Sequence, residues 1–464
     1  MHSKIINVEE INRFLEQAKM ASPREVERII QKGERSEGLT PKEAAILLQC
    51  KDRDLIDLMC KAAKQVKESI YGRRLVLFAP LYLSNTCVNN CLYCGFRKEN
   101  HGMDRKVLTY NEIRLETEVL IGDGHKRVLL VAGEDPYQCS PEYIEKAIQT
   151  VYSVKTGGAE IRRVNVNLPP MAVDGFKRLK SAGIGTYQLF QETYHLSTYK
   201  EVHPVGPKSD YYYRLLAIDR AEEAGIDDVG IGVLFGLYDY RFEVIALLCH
   251  AKHLEERFGV GPHTISVPRI EPAQNAPFST SPPYPVSDHD FMKLIAVIRL
   301  AVPYTGMILS TRENQGFRNT LFHIGISQIS SSSKIYPGGY TGDRGADSEK
   351  GQFTIGDDRT TIEVIRDISM MGFTPSFCTA CYRVGRTGKD FMDRAKTGMI
   401  QDLCLPNSIL TFKEYILDHG PEDFKAIGEG VIMEQIGSIK DRNIQEATLK
   451  KIEEIEQGKR DIYF

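Results

Sequence analysis

The sequence predicts an α/β fold, a parallel (β/α)8 barrel of the TIM type extended by helices at both ends, and three observations carry that reading. Eight short β-branched or apolar runs alternate with longer amphipathic segments between about Leu75 and Ser333. Parallel strands need crossover connections, and helices in strict alternation supply them. Several amphipathic segments end in glycine just before the next run, as at Ala182-Gly183-Ile184 and Ala224-Gly225-Ile226, which is the pattern of a helix C′ position.

Taken in order, residues 1–72 read as a helical extension. Val8–Leu15 has helical apolar spacing, and Ser22-Pro23-Arg24-Glu25 and Thr40-Pro41-Lys42-Glu43 each give an N-cap, a proline at the first helical position and an acid in the first turn. The barrel, 73–340, takes its strands from Val76–Leu83, Arg127–Ala132, Arg163–Leu168, Thr186–Glu192, Asp228–Leu237, His263–Arg269, Met307–Thr311 and His323–Ile329. Helical patterns lie between them at Asn111–Ile121, Pro141–Val154, Tyr211–Glu223, Glu243–Phe258 and Asp288–Leu300. An open doubly wound sheet is the alternative with the same alternation. The Ser330–Ser333 run and Pro337-Gly338-Gly339 mark the end of the barrel. Residues 341–464 are mainly helical again, at Thr360–Met371, Asp390–Ile400 and Lys413–Ile416, and close with Gln445–Gln457, a charged helix with a solvated face.

The 464 residues carry a formal charge of −3 and 42% hydrophobic residues. Near-balance argues against a nucleic-acid surface or a polybasic membrane contact, and no apolar run reaches the ~18 residues a membrane span needs. Met1–Asn7 lacks the apolar core of a signal peptide, so a cytoplasmic protein is expected. Of ten cysteines, six fall into two tight groups, which without a secretion signal reads as metal binding rather than a disulfide framework. Cys50, Cys60, Cys139 and Cys249 stand alone and read as small buried hydrophobes.

The first group is Cys87, Cys91 and Cys94, directly after the first strand, where this fold places active sites. Thiolates are the soft ligands that iron–sulfur clusters select. Three cysteines leave the fourth iron of a 4Fe-4S cube open. A zinc knuckle with a borrowed fourth ligand is the rival reading. With the aromatic Tyr93 before the third cysteine, the spacing resembles the signature of the radical S-adenosylmethionine (SAM) superfamily. The resemblance implies that SAM chelates the open iron and is cleaved reductively to a 5′-deoxyadenosyl radical, with an external electron donor. Leu130-Val131-Ala132-Gly133-Glu134 resembles the family's Gly-Gly-Glu motif, with Ala132 in place of the first glycine, and implies that Glu134 receives the SAM amino group. By the same resemblance Glu192 binds the ribose or amine side, Arg214 the carboxylate, and Gly232, in Gly230-Ile231-Gly232-Val233, lets strand five approach the adenosyl group.

The second group is Cys378, Cys381 and Cys404, again three thiols without an obvious fourth; a zinc site completed by a histidine such as His419 is the alternative. Both groups together, with barrel and helical N-terminus, resemble the HydG-type tyrosine lyases that mature FeFe hydrogenase, over essentially the whole chain. The related ThiH type of thiamine biosynthesis shares the barrel and first triplet but lacks the C-terminal cysteines. The resemblance implies cleavage of the tyrosine Cα–Cβ bond to p-cresol and dehydroglycine. Dehydroglycine then becomes carbon monoxide and cyanide, captured on iron at a second iron–sulfur cluster carrying an extra iron. It also implies contact with other hydrogenase maturation proteins.

For the tyrosine carboxylate, Ser310 and Arg312 at the end of strand seven supply a hydroxyl and a guanidinium, with Arg269 a further candidate that instead pairs locally with Glu271. His263 stands at the opposite end of strand six, where the resemblance implies a ligand to the extra iron. Two sites at opposite ends call for a channel through the barrel, compatible with Ser327 and Ser330. The rivals are a ThiH-like 2-iminoacetate synthase with a structural second cluster, and a non-catalytic iron–sulfur scaffold or electron carrier.

Overall fold

The computed structural model describes residues 5–342 and 350–464; Met1–Lys4, and the part of the C-terminal region from 343 to 349, lie outside the described residues. Four helices open the chain: α1 Val8–Ala18, α2 Pro23–Glu34, α3 Pro41–Gln49 and α4 Arg53–Tyr71. Each starts where a side chain accepts from a backbone N–H of the first turn, from Asn7, Ser22, Thr40 and Asp52 in turn. At Thr40 the bond is reciprocated by Glu43, a full capping box. The extension lies against the barrel's outer helix Asp288–Ala301: a Cβ on Gly33 of α2 would stand 2.9 Å from the Leu300 Cβ, so glycine sets that close approach.

Eight parallel strands form a closed barrel: β1 Arg74–Ser84, β2 Arg127–Ala132, β3 Arg163–Asn167, β4 Tyr187–Gln188, β5 Val229–Gly232, β6 Thr264–Ser266, β7 Gly306–Leu309 and β8 Gln328–Ser330. Closure is made by β1 against β8, with Val76 beside Gln328 and Phe78 beside Ser330. The open doubly wound alternative is thereby excluded. Every expected run overlaps its strand, but the last strand is shorter than its apolar pattern suggested. The helix Gln315–Phe322 runs up to His323, and His323 and Ile324 bond back to Thr320 and Leu321, leaving only Gln328–Ser330 to pair. The expected helix Tyr211–Glu223 is two, Tyr211–Leu215 and Ala217–Glu223, broken at Leu216.

A ninth parallel strand, β9 Thr374–Ser376, joins the starting end of β1, Arg74 beside Thr374 and Val76 beside Ser376. Helices Thr361–Met370, Gly388–Lys396, Gln401–His419, Glu422–Gly437 and Arg442–Glu456 complete the C-terminal region. The part of the segment between the barrel and these helices from 350 to 359 lies over the barrel mouth. It is anchored by the buried pair Arg318–Asp357, by Arg359 on Asp357, and by the Gly356 N–H donating to the Thr311 carbonyl at 2.8 Å. No described helix is long and apolar enough to cross a membrane. Of the four lone cysteines only Cys50 is buried; Cys60, Cys139 and Cys249 are half-buried, because each lies at the edge of a packed face rather than in it.

Candidate active site

The cysteine loop leaves β1 at Ser84, whose Oγ accepts from the Thr86 N–H at 3.0 Å and starts the turn. One guanidinium then staples the whole loop. Arg105 donates to the carbonyls of Asn85, Phe96, Arg97 and Asn100 at 2.7–3.1 Å. Tyr93 turns inward, its hydroxyl 2.8 Å from the His203 Nε2. Cys87, Cys91 and Cys94 thereby line one wall of a cavity of about 210 Å³ at the C-terminal ends of the strands, shared with Glu134, Glu192, Lys208, Arg214, Ser310 and Arg312. Burial pushes the Cys91 thiol up to about 12 and raises Cys94 as well. Side chains that dislike ionising alone suit a group whose positive charge is delivered with it.

Two amide groups aim at these sulfurs. Asn89 Nδ2 stands 3.7 Å from the Cys87 Sγ and donates to Glu134 Oε2 at 2.6 Å. Gln352, from the segment returning over the mouth, places Nε2 3.7 Å from the Cys94 Sγ. Among the described residues no three His, Cys, Asp or Glu side chains converge as a single metal ion requires; a cube takes each thiolate at a different iron. Gly133 packs so tightly that a Cβ there would collide with the Thr86 carbonyl, which holds Glu134 beside the triplet.

Opposite, Glu192 sits at φ +70°, a conformation non-glycine residues adopt only when their surroundings enforce it. Its Oε1 meets Lys208 Nζ at 2.7 Å and Arg214 Nη2 at 3.4 Å. Burial pushes this carboxyl up, but the two cations outweigh it and hold it below the usual range. Arg214 also donates to the Phe190 carbonyl at 2.8 Å. Gly232 does not line the cavity; a Cβ there would press on the Phe190 ring at 2.7 Å, so it serves strand packing behind the wall.

At the seventh strand the Ser310 Oγ is buried without a hydrogen-bond partner, an orphaned hydroxyl on the cavity wall. Arg312 is half-buried, desolvation lowers its pKa, and no carboxylate pairs with it among the described residues; its one hydrogen bond goes to the Arg269 carbonyl at 3.4 Å. Arg269 itself is turned away from the cavity. The expected partner Glu271 is replaced by Glu313, which takes the Nε–Nη2 edge of the Arg269 guanidinium with both carboxylate oxygens, and by Asp288 at 2.8 Å from Nη1, because the buried Glu313 is the carboxylate in greater need of a cation.

The second cysteine group lines a separate cavity of about 50 Å³ at the opposite end of the barrel, with His263, Tyr71, Arg74, Arg127, Ser327 and Gln328. His263 is the histidine on this wall; His419 is not among its lining residues. The His263 ring lies against Phe391, centroids 4.3 Å apart. Its Nδ1 faces Asp228 Oδ1 at 3.6 Å, and neither atom has a hydrogen-bond partner. Burial pulls the imidazole down, partly offset by Asp228. Burial also raises Cys378, and raises Cys381 to about 12, while Arg127 donates to the Cys378 carbonyl at 2.9 Å. In place of one continuous channel the barrel holds two separate cavities: Phe78 and Ser330 line the upper, Val76, Ser327 and Gln328 the lower.

Asn89, Lys208, Arg105, Gln352 and Phe353 were not singled out by sequence. Asn89 lies inside the cysteine loop, where an amide between two thiols was a usable signal. Nothing local marked Gln352 or Phe353.

Residues 81–248 match the model of the radical SAM superfamily, and residues 266–374 that of the biotin and thiamin synthesis associated domain. The crystal structure titled "HydG: A maturase of the [FeFe]-hydrogenase" superposes with a TM-score of 0.96 at 54% identity, covering 99% of this chain and all of that one. The FeFe-hydrogenase maturase HydG from Carboxydothermus hydrogenoformans gives 0.85 at 41%, covering 97% and 99%. The 2-iminoacetate synthase of Salmonella typhimurium is 29% identical over 338 residues, 73% of this chain and 86% of that protein.

Proposed function

The chain belongs to the HydG family of [FeFe]-hydrogenase maturases, and on that ground we propose that it is a radical SAM carbon–carbon lyase. It cleaves the Cα–Cβ bond of tyrosine to p-cresol and dehydroglycine, then forms carbon monoxide and cyanide for delivery on iron. The observation that carries the reading is the pairing of two three-cysteine sites at opposite ends of one barrel, each lining its own cavity.

In this reading Cys87, Cys91 and Cys94 hold a 4Fe-4S cluster with SAM, which supplies one-electron chemistry at the upper cavity when an external donor reduces it. Glu134, steadied by Asn89, takes the SAM ammonium. Arg214 takes its carboxylate, and Glu192, kept ionised by Lys208 and Arg214, the ribose or amine side. Arg312 and the unpaired Ser310 hydroxyl fix the tyrosine carboxylate, and the buried walls Phe78, Leu129 and Ile308 exclude water from the reacting carbon. Arg269 acts by holding Glu313 and so the end of the seventh strand. Cys378, Cys381 and Cys404 hold a second cluster, with His263 a ligand to its extra iron.

The extension 1–72 buttresses the barrel 73–340, and region 341–464 carries the second site. The ten cysteines, none in a disulfide, suit a reducing cytoplasm, where other hydrogenase maturation proteins receive the product.

Anaerobic reconstitution with SAM, tyrosine and dithionite tests the reading. Deoxyadenosine, p-cresol, carbon monoxide and cyanide are expected. Cys378→Ala should abolish the two diatomic products and leave p-cresol. p-Cresol without carbon monoxide from the unmodified chain would establish the 2-iminoacetate synthase reading instead.

A further inference from the structure

The segment over the barrel mouth meets β1 and the first cysteine loop at Gln352, which makes three contacts there. Its carbonyl accepts from the Gly95 N–H at 3.0 Å. Its side-chain Oε1 accepts from the Tyr82 hydroxyl at 2.8 Å. Its Nε2 points at the Cys94 Sγ from 3.7 Å, within range for a hydrogen bond to sulfur. The approach is built in: a Cβ on Gly95 would stand 2.7 Å from the Gly351 carbonyl oxygen, so the residue after Cys94 must be glycine for the segment to sit this close. Tyr82 is 5% exposed, and the half-buried Cys94 packs against it together with Phe96 and Phe353, so these side chains limit the access of water to the sulfur.

We infer that Gln352 is a positioning residue for the first cluster, donating an N–H···S hydrogen bond to the Cys94 thiolate that raises the cluster's reduction potential. The orientation of the amide follows from the chemistry of its neighbours. A cluster-bound thiolate has no proton and can only accept, so the NH₂ end must face it. That leaves the carbonyl end for Tyr82, whose hydroxyl can donate. Turned the other way, the amide oxygen would face a thiolate. Tyr82 is therefore the latch that keeps the donor pointing at sulfur. A hydrogen bond to a ligating sulfur withdraws electron density and favours the reduced state, one of the terms that set cluster potentials. The second site has no side-chain amide donor on a cysteine among the described hydrogen bonds; Cys378 Sγ instead receives the backbone N–H of Ala380 at 3.4 Å. The two sites are thus set independently.

This inference rests on the assignment of Cys87, Cys91 and Cys94 to a 4Fe-4S cluster. The full chain, reconstituted anaerobically, is titrated potentiometrically with EPR detection of both clusters. In Gln352→Leu the midpoint of the first cluster is expected to fall, with at least a tenfold lower reduced-to-oxidised ratio at fixed potential, 59 mV for one electron. Tyr82→Phe should shift it in the same direction by less, and the second cluster's midpoint should not move in either. An unchanged midpoint in Gln352→Leu overturns the inference. If that variant does not take up the cluster, the unsubstituted protein decides: transfer to D₂O should shift an Fe–S(Cys) stretch in the resonance Raman spectrum, and the shift should be smaller in Tyr82→Phe. The absence of any isotope shift overturns it equally. Failure of the underlying assignment looks different, because the unsubstituted chain would then show no first-cluster signal that responds to SAM.

Discussion

The Arg312 guanidinium carbon stands 3.4 Å from the centroid of the Phe353 ring, so the cation proposed to hold the substrate carboxylate is covered on one face by the segment that returns over the mouth. A buried stacked contact of this kind contributes about 1–2 kcal/mol. Phe353→Ala should therefore raise KM for tyrosine roughly 5- to 30-fold while SAM cleavage in the absence of tyrosine is unaltered. Steady-state p-cresol and deoxyadenosine assays separate the two; weaker SAM binding in the variant would contradict this role.

Lys208 keeps Glu192 charged against a burial that favours the neutral acid. Lys208→Met removes the nearer of its two cations, so the carboxyl should titrate closer to neutrality. As the solution is acidified, SAM affinity of the reconstituted variant should then begin to fall at a higher pH than in the parent. Calorimetric titration as a function of pH checks it, and the same profile in both proteins would assign the charge of Glu192 to Arg214 alone.

The Asp228 carboxylate faces the His263 Nδ1 at 3.6 Å, where a small turn of the ring lets it accept that N–H and leave Nε2 free, the arrangement that orients metal-ligating histidines. Asp228→Asn should weaken iron at the lower cavity 10- to 100-fold. Iron analysis is expected to show the loss of a single iron per chain, with the signal of the upper cluster retained. Loss of both signals would mean that Asp228 supports the fold and not the histidine.

Lys67 in α4 is fully buried, and its amine has no hydrogen-bond partner, only the Phe373 ring at 4.7 Å. Burial, with Arg74, Arg299 and Arg73 nearby, pulls its pKa from 10.5 down to about 7. A depressed lysine costs stability most fully below its folded pKa, and the cost disappears as pH rises from about 7 to 10.5. Lys67→Met should stabilise the chain by roughly 4 kcal/mol at pH 7, at 1.36 kcal/mol per pH unit, with no gain left near pH 10.5. Thermal denaturation at both pH values tests the sign.

The barrel was legible in the sequence because each strand needs only a short apolar run and each crossover a periodic helix, both local properties. Both cysteine sites were legible too, since ligand spacing within a loop survives translation into sequence. The parts that escaped are long-range. Gln352 reaches Cys94 from another region of the chain, and residues 351–357 have no periodicity to announce that they are load-carrying loop rather than linker. Arg269 shows the same limit: its neighbour in sequence, Glu271, was the natural partner to expect, but the folded strands put Glu313 and Asp288 closer. His263 could be placed at the bottom of the barrel from strand order alone, whereas Asp228, one strand away, acquires meaning only once β5 and β6 lie side by side.

Strand β1 carries the upper cysteine loop at its end and receives β9, which leads into the lower cysteines, at its start. One stretch of 11 residues thus acts as a ruler between the two sites, roughly 36 Å long at ~3.3 Å per residue, and a pleated strand can neither shorten nor swing. A fixed strand is no arm to carry material from one end to the other. In the proposed reading, whatever is made above and used below makes the journey by its own diffusion, which restricts the traffic to molecules small enough to slip between side chains of a barrel core.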